Sequence, residues 1–249
     1  MSPVFAGNID VALITFYAFV LFFAGLVIYL NRESRREGFP QEDDLTGRID
    51  SPGLFDGAPK RFQLPFGRGV TTTDREREPI TLAAVRERFS GAPYRPTGNP
   101  LVDGIGPAAW AERRRVPDLD MEGHARIVPI AATNGIKLDK RDPALIGKPV
   151  FGADGVQAGV VTDVWVDRAE RLIRYLAVDI GARIVMAPMA MASVRKRGVT
   201  IDAITAAQFA DAPAIEGAET ITFYEEERVQ AYFGGGYLYA TPERQEPIL

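Results

Sequence analysis

The sequence predicts one membrane-spanning α-helix followed by a β-rich domain, a small antiparallel barrel or sandwich carrying short helices. Two observations carry that fold class. Val11 to Leu30 is a run of twenty residues without a charge, and from about Lys148 the chain breaks into short β-branched and aromatic runs separated by turn residues. A third bounds it: 249 residues, 46% hydrophobic and 25% charged, exclude a wholly disordered chain, a collagen-like repeat and a polytopic membrane protein.

The apolar run VALITFYAFVLFFAGLVIYL makes a helix of about 30 Å at about 1.5 Å per residue, the thickness of a bilayer's hydrocarbon core. Tyr29 is placed for the membrane–water boundary. A cleaved signal peptide needs a basic start and a small-residue cleavage site. Residues 1–10 hold no Lys or Arg, and the run ends in Ile28-Tyr29-Leu30-Asn31. Arg32, Arg35 and Arg36 follow the run directly. The positive-inside rule therefore puts residues 1–10 outside, the helix at 11–31 and the rest of the chain in the cytoplasm. One span cannot form a channel by itself; it anchors a domain or adds a helix to a larger complex.

Residues 31–100 hold eight Pro and eight Gly, an acidic run at Glu42, Asp43 and Asp44, and the turn-rich SPGLFDGAP from Ser51 to Pro59. That composition fits a disordered linker. The same stretch carries Phe55, Phe62, Leu64, Phe66 and Tyr94, which fits an extended segment laid along a partner. Composition leaves both open.

Beyond Lys148, strands are expected at Val160–Val166, Arg171–Val178, Arg183–Pro188 and Gly198–Asp202. Thr205 to Pro213 reads as a short helix closed by Pro. Glu225 to Phe233 reads as another, stopped by Gly234, Gly235 and Gly236.

The chemistry is bounded as firmly. With no cysteine, disulfides, thiolate metal sites and Cys nucleophiles are excluded. A single histidine, His124, rules out any multi-histidine metal site. A net charge of −4 gives no general reason to bind nucleic acid. No phosphate-cradling glycine loop or nucleophile elbow occurs, and nothing marks a serine as a partner for His124.

Asp118, Asp120, Glu122 and His124 lie within seven residues, just after Arg113-Arg114-Arg115. In an extended strand they project to one side. Carboxylates beside an imidazole can pass protons near neutral pH or bind a divalent ion weakly. The plainer reading, a solvated charge-balanced surface, leads on residue types alone. It leads also for Asp163, Asp167 and Glu170 around Trp165.

Several segments carry a family resemblance: FAGNIDVA before the apolar helix, NRESRREGFP after it, FQLPFGRG (62–69), PTGNPLVDGIGPAAWAERR (96–114), VTDVWVD (161–167) and YFGGGYLYA (232–240). Through nearly its whole length the chain resembles the H subunit of the photosynthetic reaction centre of purple bacteria. Residues 142–240 resemble the small β-barrel named after that complex, the PRC barrel.

The resemblance implies a non-catalytic subunit. Residues 32–114 would cover partner proteins, 115–141 would connect, and 241–249 would form a tail. The partners would be the L and M subunits, which carry bacteriochlorophyll, bacteriopheophytin, quinones and a non-haem iron. Membrane lipids and antenna proteins would surround them, and the chain itself would bind no pigment or metal. Its implied work is to stabilise the complex, shield the secondary quinone site and conduct protons to it.

By the same resemblance, Asp120 and His124 stand at a proton entry point, with Glu122 where related chains have a second histidine. Arg126 keeps a basic position. Asp167 and Glu170 match acidic residues near the quinone-side water network, with Glu170 the foremost internal candidate, and Arg174 matches a basic residue facing the other subunits. A different class of function, a membrane-anchored PRC-barrel scaffold of another complex, is the alternative; an anchored enzyme lacks any motif.

Overall fold

The structure is a computed structural model that describes residues 10–37, 57–73, 83–86, 89 and 91–245. The expected outer N-terminus (1–9), the acidic run 42–44 and most of the turn-rich stretch 51–59 with Phe55 lie outside the described residues. The chain divides into two compact units, Met1–Ile80 with Arg88–Ala92, and Thr81–Glu87 with Pro93–Leu249.

In the first unit, α1 (Val11–Ser34) contains the apolar run and buries none of its residues within the chain. It is long and apolar enough to cross a membrane. Asp10 caps it: its Oδ1 accepts the N–H groups of Ala12 at 2.9 Å and Leu13 at 3.3 Å, two of the donors a helix start leaves open. Past its end, Arg36 donates from Nε to the Ala58 carbonyl at 2.9 Å, and Thr73 donates from Oγ1 to the Arg36 carbonyl at 2.8 Å. These bonds tie a small antiparallel ribbon, β1 (Arg61–Gln63) and β2 (Val70–Thr72), to the end of the helix. Part of the segment open between linker and extended strand thus has defined structure.

The second unit begins with the hairpin β3 (Ala84–Arg86) and β4 (Tyr94–Pro96). The one-turn α2 (Pro100–Asp103) follows, capped by Asn99 and ended by Gly104 in the left-handed region. Seven strands then build one sheet. They are β5 (Ile127–Pro129), β6 (Pro149–Phe151), β7 (Gln157–Asp167), β8 (Leu172–Asp179), β9 (Ile184–Pro188), β10 (Ala192–Arg195) and β11 (Gly198–Ile201). The order runs β10-β11-β6-β7-β8-β9, with β5 added against the second half of β7. The two end strands, β9 and β10, are consecutive in sequence and joined by a 3₁₀ turn at Met189–Met191.

All the expected strands form, each end within three residues of its expected place. β5, β6 and β10 were not anticipated, because runs of three or four residues carry too little alternation to stand out. One pairing departs from the antiparallel expectation: β11 runs parallel to β6. The expected helix at Thr205–Pro213 is a 3₁₀ turn, Ala207–Asp211.

The last helix, α3 (Phe223–Tyr239), starts from a capping box between Thr222 and Glu225. It buries Val229, Tyr232 and Phe233 against the sheet core, with Phe233 edge-on to Phe209 at 5.7 Å between ring centres. It does not stop at its three glycines but runs through them. A Cβ on Gly235 would lie 2.5 Å from the Ala108 Cβ, and one on Gly236 would collide with the Ala203 carbonyl. These two glycines allow close approach rather than termination, and tertiary packing overrides their poor helix propensity.

Candidate functional site

The polar cluster at 118–124 does not run extended. The chain reverses there as a tight hairpin. The Asp120 N–H donates to the His124 carbonyl at 2.9 Å and the Arg126 N–H to the Asp118 carbonyl at 2.9 Å, with Gly123 in the left-handed region at φ +87°. Asp120 makes the turn, its Oδ1 accepting the N–H groups of Glu122 at 3.1 Å and His124 at 2.8 Å. Its carboxyl is held below its ordinary pKa, first by the His124 backbone bond, with the charges of His124 and Arg168 adding to it against partial burial. The His124 imidazole is 62% exposed and lies 3.6 Å from Asp120. Glu122 is exposed at the tip. The four side chains expected on one side are therefore split: Asp118 sits opposite Arg126 at the base of the hairpin, and Glu122 and His124 sit at its exposed end.

The register of β5 on β7 brings this hairpin to the second acidic group. Ile127 pairs with Asp167, and the Arg168 N–H donates to the Arg126 carbonyl at 2.9 Å. Asp167 ends β7 and folds the turn beyond it, its Oδ1 accepting the N–H groups of Ala169 at 3.0 Å and Glu170 at 2.9 Å.

Arg126 is the hub. Its guanidinium contacts Asp167 at 2.9 Å, Asp118 at 3.3 Å and Glu170. Arg174, on β8, adds contacts to Asp167 at 3.3 Å and Glu170 at 3.4 Å. The Asp167 side chain is 0% exposed. Burial pushes its pKa up, but the Glu170 backbone N–H and the Arg126 and Arg174 guanidiniums outweigh that, and the net direction is down. The hydrogen bond to Asp167 raises Arg126 further above its already high value.

The structure thus joins Arg126, Asp167, Glu170 and Arg174 in one ionic set. The 118–126 hairpin is attached through Asp118 and through Arg168, whose guanidinium lies 4.0 Å from Asp120. Asp163 stays apart, its carboxylate accepting the N–H of Val164 at 2.7 Å. Glu170, the foremost internal candidate, is 47% exposed at the turn in this chain; the buried carboxylate is Asp167.

A cleft of about 500 Å³ opens on this set, lined among others by Asp118, Arg126, Asp167, Arg174, Glu226 and Gln230. Its far wall is the start of α3. Segment 113–117 runs along that wall, with the N–H groups of Phe223 and Tyr224 donating to the carbonyls of Val116 and Arg114, and Arg113 paired with Glu227 at 2.9 Å. In the sequence Glu226 is only one of the acidic residues at a helix start. The Tyr175 hydroxyl donates to its Oε2 at 3.1 Å. Burial, with the charges of Asp118 and Asp167, raises its pKa against the opposing effects of Tyr175 and Arg174. No local pattern announces this, because Tyr175 arrives from β8, 51 residues away.

The model of the photosynthetic reaction centre H-chain N-terminal region matches residues 3–132, more than half the chain. The chain belongs to this H-chain family. A PRC-barrel domain model matches residues 139–208 of the same H chain, in agreement with the apolar helix and β-rich domain. The ionic set straddles both regions: Asp118 and Arg126 come from the first, Asp167, Glu170 and Arg174 from the second. Glu226 lies beyond either. As a family member, the chain is a subunit of a reaction-centre complex, and α1 is its single candidate membrane anchor among the described residues.

Proposed function

We propose that this H chain caps the L and M subunits of the reaction centre on the cytoplasmic side, steadies the secondary quinone site and delivers protons to it. Those subunits would carry the bacteriochlorophylls, bacteriopheophytins, quinones and non-haem iron, and the H chain would work as an accessory, non-catalytic subunit. Its α1 would cross the photosynthetic inner membrane with the N-terminus on the periplasmic side, as Arg32, Arg35 and Arg36 favour. Lipids and antenna proteins would be its neighbours in that membrane.

One observation carries the proton-delivery reading: Arg126 binds the base of an exposed Asp/Glu/His hairpin to the Asp167–Glu170 turn. Reducing quinone to quinol takes two electrons and two protons, and those protons must cross whatever covers the site. Exposed His124 and Glu122 beside Asp120 can collect protons from solvent, since imidazole exchanges them near neutral pH. Fixed guanidiniums from Arg126 and Arg174 hold the carboxylates in place and offset their mutual repulsion. Glu170 stands at the exposed end of the set, where a partner subunit would cover it and take the proton onward.

The reading is tested by detergent purification of the tagged chain from its native membranes, followed by near-infrared absorption. Bleachable bacteriochlorophyll bands in fixed proportion to the chain are the expected result. A colourless preparation with other polypeptides would contradict it and favour a PRC-barrel scaffold.

A further inference from the structure

Two carboxylates are fully or nearly buried among the described residues, Asp167 and Glu225, and both are consumed by structure. Asp167 accepts from two backbone N–H groups and two guanidiniums. Glu225 accepts from the Glu216 and Thr222 N–H groups and the Thr222 hydroxyl. Glu226, one residue on and partly buried, is used differently. The Tyr175 hydroxyl is its hydrogen-bond partner among the described residues, and it forms no ion pair among them.

The surroundings explain what such a carboxylate can do. Tyr175 is 1% exposed, and burial drives its pKa well above the usual phenol range, so it keeps its proton and serves only as a donor to Glu226. The Gln230 amide donates to the Tyr175 oxygen at 3.3 Å and so orients the hydroxyl hydrogen toward Glu226. From the rest of the cleft, Asp118 and Asp167 face Glu226 with like charge, and Glu227, the next residue on its helix, also lines the cleft. Arg174 opposes them, but its guanidinium is shared with Asp167 and Glu170. Arg126 is committed to three carboxylates and Arg113 to Glu227. Glu226 is thus a carboxylate without its own cation, on the wall of a solvent-reached cleft.

We infer that Glu226 is a proton-storing site of this cleft, taking a proton from cleft solvent onto its free oxygen while Asp167, Arg126 and Arg174 keep their charges. One O–H bond forms on the carboxylate as one breaks on the solvent donor, and nothing is oxidised or reduced. The cleft gains one positive charge on loading and loses it on release. The site would store a proton whether or not the route to the quinone passes through this chain, so its test needs no electron transfer.

That test is an infrared pH titration, in the dark, of the intact detergent-purified complex in H2O and D2O. A deuteration-sensitive C=O stretch of a protonated carboxyl should develop at a pH above the ordinary glutamate range, and Glu226→Gln should abolish it. Tyr175→Phe removes the donor that favours the charged form, so the midpoint of the same band should move up. A Glu226→Gln complex that retains the whole band overturns the inference. Should that variant fail to assemble, an unmoved midpoint in Tyr175→Phe overturns it instead.

Discussion

Arg126 holds Asp118, Asp167 and Glu170 together, and its removal would leave Asp167 buried with Arg174 as its one remaining cation. Breaking a buried pair costs about 3–5 kcal/mol; with Arg174 still present, Arg126→Met should cost about 2–3 kcal/mol of the stability of the detergent-solubilised chain. The pH dependence follows from the direction of the shift. A carboxyl whose pKa is lower folded than unfolded stabilises the fold above its unfolded value, about 3.9, and that share is lost as pH falls through the folded value. Thermal unfolding followed by circular dichroism should therefore show wild type and Arg126→Met converging as pH falls below about 4. A constant gap down to the acid limit would mean that Arg126 acts through packing alone. Asp167 and Glu170 stand out in the sequence as an acidic turn whose plainer reading is solvation, and Arg126 and Arg174 only through family resemblance, since these residue types suit any solvated turn. Glu226 could not be singled out at all: its environment is made by Tyr175 and Asp118, which only the fold brings to it.

At the scale of elements, α3 gives the clearest test of packing against propensity. Ala in place of Gly gains about 1 kcal/mol in an exposed helix. Gly234 has room for a methyl group, with the Met191 Cε at 4.0 Å, so Gly234→Ala should raise the melting temperature. Gly235 and Gly236 face Ala108 and the Ala203 carbonyl at distances that exclude a Cβ. Overpacking of this kind costs about 1–3 kcal/mol, so Gly235→Ala and Gly236→Ala should lower the melting temperature. The same sign in all three variants would refute the close-approach account. Reading the three glycines as a helix stop failed because a glycine's local preference and its packing role look alike in sequence. The 118–126 hairpin escaped for a related reason. Alternating polar residues suggest a strand face, whereas Asp120 is there to cap the reversal by accepting the Glu122 and His124 N–H groups.

For the whole molecule, the elements with strong internal signals were legible: an uncharged span, the long β7 and β8 with their β-branched residues, and the acidic start of α3. What was illegible depends on distant partners. β5 exists as a strand because the second half of β7 accepts it, and that pairing carries the 118–126 hairpin to the Asp167–Glu170 turn. Under the proposed function, the surface hairpin and the ionic set would form one proton-delivering unit. The most direct test is the rate of flash-induced second electron transfer to quinone in purified complexes, comparing wild type, Glu122→Ala/His124→Ala and Glu170→Gln. Slower transfer is expected in the double variant and a larger loss in Glu170→Gln, because several groups can collect protons at the surface while Glu170 alone would hand them over. Wild-type rates in both would contradict proton delivery through this chain.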